Sequence, residues 1–257
     1  MNSKKRKKIS PESYQERTYR QNIAAEGLFS TFVSVKETDL HIMASEKVEQ
    51  EALDLVHQYR NQLENYITRH PDFLTSLVPL DLDQLAPPIV KQMLLAARTA
   101  EVGPMAAVAG AIAEFVGKGL LGHGFDEVIV ENGGDIFMKR NKECISSIFA
   151  GQSPLNQKVG IKIAKADMPI GVCTSSGSVG HSLSLGQADS VTVLAASTPL
   201  ADTAATRIGN EVSSKVSGID IKHALEVAKT IPDLTGVVVI HGDKMGVWGN
   251  IDLIGLG

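Results

Sequence analysis

The sequence is poor in cysteine, in aromatic residues and in long apolar runs, and each shortage excludes something. Two cysteines in 257 residues, Cys144 and Cys173, cannot build a disulfide scaffold. They read as reduced thiols, so the expected compartment is the cytoplasm. Aromatics make up 5% of the chain, with one Trp, so a core must come mainly from Ala, Val, Leu and Ile. The longest apolar run, Val102–Ala113, has 12 residues, a core-helix length well below the roughly 18 that suggest a membrane span. The basic N-terminus leads into a polar stretch where a secretory signal would be apolar. The motifs HExxH, paired CxxC, GxxxxGK[ST] and GxSxG are all missing, which removes the commonest routes to zinc, a phosphate loop or a hydrolase nucleophile.

Charge is uneven. Residues 1–8 hold Lys4, Lys5, Arg6, Lys7 and Lys8 without an acid, yet the formal net charge is −4. The remainder is therefore more acidic still, which argues against a broad nucleic-acid surface. Residues 1–20 read as a disordered basic leader, and residues 21–257 as one domain, with room for two intertwined subdomains.

What is present is a mixture of strand and helix patterns. Residues 27–44 alternate like a hairpin turning at Lys36-Glu37. Ser45 offers a helix cap, and 46–69 has the spacing of a long amphipathic helix. Helices are expected from about Pro88 to Glu101 and, after Gly103-Pro104, from Met105 to about Leu121. The second is rich in Ala and Gly, and suits either a close core contact or a dimer contact. Strands follow at 127–131, 135–139, 144–149, 158–163 and 169–174, then at 190–194. Helices begin near Ser197 and Asp220, and a hairpin closes around Gly242-Asp243-Lys244. No sequence repeat is visible. This order points to an α+β fold rather than a doubly wound sheet. Gly117-Lys118-Gly119-Leu120-Leu121-Gly122 spells a dinucleotide fingerprint, but it ends a helix and precedes a strand, the reverse of the order that chemistry requires.

Three segments are candidates for chemistry. Glu131-Asn132-Gly133-Gly134-Asp135 is either an ordinary hairpin turn or a place where backbone amides beside a carboxylate approach a ligand. Thr174-Ser175-Ser176-Gly177-Ser178-Val179-Gly180-His181 is either a polar surface loop or a cradle for phosphate oxygens, with His181 as acid or base. Cys173 beside it reads as a buried inert thiol. Thr198, Asp202, Thr206 and Asn210 recur every four residues on one helix face. That face is either a solvent stripe or a set of short oxygen donors suited to a hard cation such as Mg²⁺.

Together and in order, these segments resemble the ApbE-like superfamily, the FAD:protein FMN transferases. The matching residues are Gly133-Gly134-Asp135, Thr174 to Gly177, and Ala201-Asp202-Thr203-Ala204-Ala205-Thr206. A short branch of that superfamily is resembled further, through Glu37-Thr38-Asp39-Leu40, Gly103–Gly110, Val130–Asp135 and Gly180-His181-Ser182. The resemblance implies an α+β fold of two related subdomains around a central cleft. It implies Mg²⁺ on Asp202 and Thr206, and a flavin nucleotide (FAD or FMN) or other phosphorylated ligand. That ligand would lie along Asn132, Gly133, Gly134, Asp135, Thr174, Ser175, Ser176, Gly177 and Gly180. Catalysis would rest on Asp202 and on His181, which would receive the acceptor's proton. The His-x-x-Asp-Pro-x-Thr-Gly segment of the transferases is reduced here to His181, followed by Ser182-Leu183-Ser184. The branch also carries a link to sulfur assimilation into homocysteine, which would make the chain an accessory protein with a role for Cys173 and a protein partner.

Overall fold

The computed structural model describes residues 27–177, 186–213 and 218–256. Strand β1 (Phe29–Val35) and β2 (Thr38–Ala44) form the opening hairpin. It turns through Lys36, whose φ is 53°. Helices α1 (Glu49–Arg69), α2 (Asp72–Thr75) and α3 (Pro88–Ala100) follow, then a 3-10 turn (Pro104–Ala107) leading into α4 (Val108–Gly122). Next come β3 (Val128–Asn132), β4 (Asp135–Lys139), β5 (Cys144–Ser147), β6 (Val159–Ile163), β7 (Ile170–Ser175) and β8 (Ser190–Ala195). Helices α5 (Thr198–Gly209) and α6 (Gly218–Thr230) precede β9 (Leu234–His241), β10 (Lys244–Gly249) and β11 (Asp252–Gly255).

Eight strands make one antiparallel sheet in the order β1-β2-β3-β4-β7-β8-β9-β10, and β11-β6-β5 make a smaller one. The order reveals a doubling that no residue repeat announces. Each half runs strand, strand, helices, strand, strand. The halves lie side by side and join where β4 pairs with β7, with Asp135 opposite Cys173 and Phe137 opposite Gly171. The expected α+β class, with related subdomains, is the fold observed.

Strand side chains alternate between faces, and here both faces are covered. On β9, Val237 and Val239 join the core under the helices, while Val238 and Ile240 join the core under the small sheet. The result is three layers: helices, large sheet, small sheet. Helix α4 presses close because it carries glycine where it meets other elements. A Cβ on Gly117 would lie 2.2 Å from the Phe137 ring. The stretch Pro104–Gly122 is long and apolar enough by composition to cross a membrane. Its Ala111, Ile112, Val116 and Leu120 are instead packed in the helix-side core.

The sequence reading departs from the structure at a few ends. Ser45 caps nothing: α1 begins at Glu49, and the amide of Val48 donates to Thr31 Oγ1 at 3.4 Å. Tertiary contact with β1 thus replaces a local cap. The proline-bearing stretch 71–88, with Pro71, Pro79, Pro87 and Pro88, reads as a loop from sequence, yet it contains α2, anchored by fully buried Phe73. Strand β11 was not anticipated, because its four residues have meaning only beside β6.

Candidate functional site

The β1–β2 turn, the β3–β4 turn, the end of β7, the start of β8 and the β9–β10 turn all lie along one edge of the large sheet. The sequence candidates gather at the middle of that edge, where the two halves meet.

From the first half comes the β3–β4 hairpin. Asn132 pairs with Asp135, and the two-residue turn between them is Gly133 at φ 69° and Gly134 at φ 109°. Both angles are in the region that glycine alone adopts freely, which is why the turn reads Gly-Gly. The Gly134 amide donates to Glu131 Oε1 at 3.0 Å, and Asn132 Nδ2 donates to the Ala109 carbonyl at 3.1 Å. The hairpin is therefore pinned to the start of α4. A Cβ on Gly134 would lie 3.6 Å from the Thr174 carbonyl, so the turn also abuts the second half.

From the second half come β7 and α5. Cys173 sits opposite Asp135 on the helix face, fully buried, with Sγ 3.4 Å from the Thr198 carbonyl. Asp202 is half-buried on α5, and one carboxylate oxygen accepts from the Gly110 amide at 2.8 Å. Helix α4 has no cap of its own, so Asp202 supplies from another helix what an N-cap side chain normally supplies locally.

Electrostatics single out this spot. Burial, and then the neighbouring Asp135 carboxylate, hold the Asp202 carboxyl well above the usual carboxylate range. The amides of Gly110 and Ala109 act in the opposite sense, and no basic side chain is among the groups that act on it. Burial, with Asp135 and Asp202 beside it, pushes the Cys173 thiol well up as well. That environment opposes the thiolate a sulfur carrier would need. Asp202, with the Asp135 carboxylate beside it and no basic side chain among the groups acting on it, offers a donor set that fits a hard divalent ion. Among the described residues no three His, Cys, Asp or Glu side chains gather as a metal site. An ion held here would thus rest on two carboxylates and take further oxygens from water or a ligand, which is the habit of Mg²⁺. Thr206 stands one turn beyond Asp202, half-buried.

The other candidates divide. Ser175 lies on the helix face near Gly209, 3.7 Å from where a Cβ there would stand. The Thr174 hydroxyl lies on the opposite face and bonds Thr192 Oγ1 at 2.9 Å. Ser176 is half-buried. The Gly177 amide, expected to be available to phosphate, donates to the Ala188 carbonyl at 2.9 Å. Gly180 and His181 lie outside the described residues. Thr198 and Asp202 do not form a solvent stripe, since Thr198 is fully buried.

Beside the carboxylates opens a pocket of about 650 Å³, a volume suited to a small-molecule ligand. Asn132, Ala109 and Val108 border it on the site side, Leu63, Ile67 and Ile112 give it apolar walls, and Arg60 closes its rim. Arg60 binds Thr38 Oγ1 at 2.6 Å and Glu37 at 2.7 Å, strapping the first hairpin to α1. The sequence reading did not single out this pocket. Its only trace there was the Glu37-Thr38 and Gly103–Gly110 match.

The family model described as "AbpE bacteria" matches residues 20–243. The chain belongs to this family. Among its relatives, the UPF0280 protein MJ1526 of Methanocaldococcus jannaschii is 41% identical over 226 residues, covering 87% of this chain and 91% of its own. A UPF0280 protein of Methanocella arvoryzae is 37% identical over 220 residues, covering 86% and 88%. Two solved structures share the ApbE-like fold. The apo form of the Pseudomonas stutzeri flavinyl transferase ApbE superposes with a TM-score of 0.52 at 12% identity, over 86% of this chain and 93% of that one. A single-residue variant of the Vibrio cholerae flavin transferase ApbE gives 0.52 at 13%, over 86% and 96%. This ApbE-like chain keeps its carboxylate pair at the seam between the two halves of the fold.

Proposed function

We propose that this protein is a cytoplasmic, Mg²⁺-assisted transferase acting on a flavin dinucleotide or a similar pyrophosphate. The observation that carries the reading is the paired Asp135 and Asp202 carboxylates, held beside a ring-sized pocket with no basic side chain among the groups acting on Asp202. The fold shared with flavin transferases supports the choice of ligand.

In the proposed reaction a P–O bond of the pyrophosphate breaks, and a new P–O bond forms to an acceptor hydroxyl. AMP leaves with the bridging oxygen, and the acceptor's proton passes to a base. Such transfers need charge neutralisation and in-line placement more than covalent help. A divalent ion would supply the Lewis acidity and charge neutralisation. Asp202 and Asp135 would hold it, with Thr206 beside them. The chain's own part is positioning. Asn132 and the Gly-Gly turn set the wall of the cleft, Leu63, Ile67 and Ile112 take a planar ring out of water, and Ser175 faces the same side. His181 is assigned as the proton acceptor on its place in the sequence.

The test is incubation with FAD and Mg²⁺, with AMP and FMN separated by chromatography. AMP release is expected, and Asp202→Ala should lower it about 100-fold or more, the scale of losing a principal electrostatic contact. A wild-type protein that releases no AMP from FAD, with or without candidate protein acceptors, refutes the reading.

A further inference from the structure

Helices α4 and α5 run antiparallel and hold one another at two points, one turn apart on each. Asp202 accepts from Gly110 of α4 at 2.8 Å, and Glu114 Oε2 accepts from the Thr198 amide of α5 at 2.6 Å. Each helix lends the other a carboxylate for the amides that its own first turn leaves open. The helices touch closely: a Cβ on Gly110 would lie 2.7 Å from the Thr198 carbonyl and 2.9 Å from the Asp202 Cβ. Glu114 is 3% exposed, and its other oxygen takes Lys118 Nζ at 2.6 Å. A buried carboxylate on a largely apolar helix is costly unless its charge is satisfied. Here Lys118 and the Thr198 amide satisfy it.

We infer that Glu114 is a positioning residue for the seam: by holding the first amide of α5 it fixes where Asp202 sits against the start of α4. The inference about metal affinity rests on the proposed role of Asp202, while the inference about placement does not. Pro199 leaves the second position of α5 without a donor, and Ser197 Oγ reaches the Leu200 amide only at 3.4 Å. Glu114 therefore provides the short bond to this helix start. Thr198 and Asp202 are one turn apart, so a shift at the first is passed to the second along a rigid helix.

Two readouts separate the parts. Hydrogen exchange at the Gly110 amide reports the Asp202 contact itself, and Mn²⁺ titration followed by electron paramagnetic resonance reports cation affinity. Glu114→Leu should speed Gly110 exchange relative to neighbouring α4 amides and weaken Mn²⁺ binding about tenfold, as loss of a ligand-orienting partner does. Glu114→Gln, which still accepts from the Thr198 amide, should restore both to near wild type. Should Glu114→Leu not fold, Thr198→Pro removes the same hydrogen bond at a position where proline suits a helix, and should give the same pattern. Unchanged Gly110 exchange in a folded variant overturns the inference. Wild-type protein that binds no Mn²⁺ refutes the cation reading instead, and the positioning role is then judged on Gly110 alone.

Discussion

The first half of the large sheet, residues 29–139, and the second, residues 170–249, share one order of elements and differ in what they carry. The first is covered by α1, α3 and α4, encloses the 650 Å³ pocket and ends in the Gly-Gly hairpin. The second is covered by α5 and α6, and contributes Cys173, Asp202 and Thr206. Doubling supplies the scaffold, and divergence supplies the candidate site. Neither half alone brings Asp135 and Asp202 together, so the proposed chemistry belongs to the join.

If the join matters most, damage there should exceed damage at the rim. Gly171 lies on β7 under α5, where a Cβ would stand 2.6 Å from the Thr198 Cα. Gly171→Val should cost about 3 kcal/mol and lower the melting temperature by roughly 5–10 °C, measurable by calorimetry. A near-wild-type melt would show that α5 is not tightly packed on the seam strand β7 there. A smaller effect concerns pH. The Asp202 carboxyl is held high, so the folded chain keeps a proton that the unfolded chain releases. This group's penalty is absent below the ordinary carboxylate range and grows as pH rises from there toward the raised value. In chelator, Asp202→Asn should flatten that fall in melting temperature, and equal slopes for both proteins would contradict the buried-pair description. The smallest effect belongs to the rim of the first half. Lys36 and Glu64 meet at 2.7 Å but are 59% and 41% exposed. Lys36→Met should change stability by about 0.5 kcal/mol or less, as read by urea denaturation. A larger loss would mean that the strap over the pocket, rather than the join, governs this side of the molecule.

Much of the architecture was legible in the sequence because local pattern determines it. Alternation marked β2, the turn at Gly242-Asp243-Lys244 marked the hairpin of β9 and β10, helical spacing marked α1, and Asn-Gly-Gly-Asp marked its hairpin. The clustering of Gly133, Asp135 and Asp202 followed from family likeness rather than from pattern. What stayed hidden depends on distant partners. The Gly110–Asp202 and Glu114–Thr198 bonds join residues 92 and 84 apart in the chain. The doubling was also hidden, because the two halves share connectivity without sharing residues. Glu114 left one faint signal: it is the acid that ends the apolar run Val102–Ala113.

Because the two halves are related by a sideways step, with helices on the same face and strands pointing alike, the rule that adds the second to the first does not terminate. Among the described residues no further strand pairs with the outer rims at β1 and β10, and an unpaired rim of this kind invites fibre growth. The glycines of β10, Gly246 and Gly249, and the Lys36 and Lys244 charges at strand ends stand where such stacking would begin. Any stacking of copies would therefore be decided at the two extremities of the sheet, away from the Asp135–Asp202 seam at its middle.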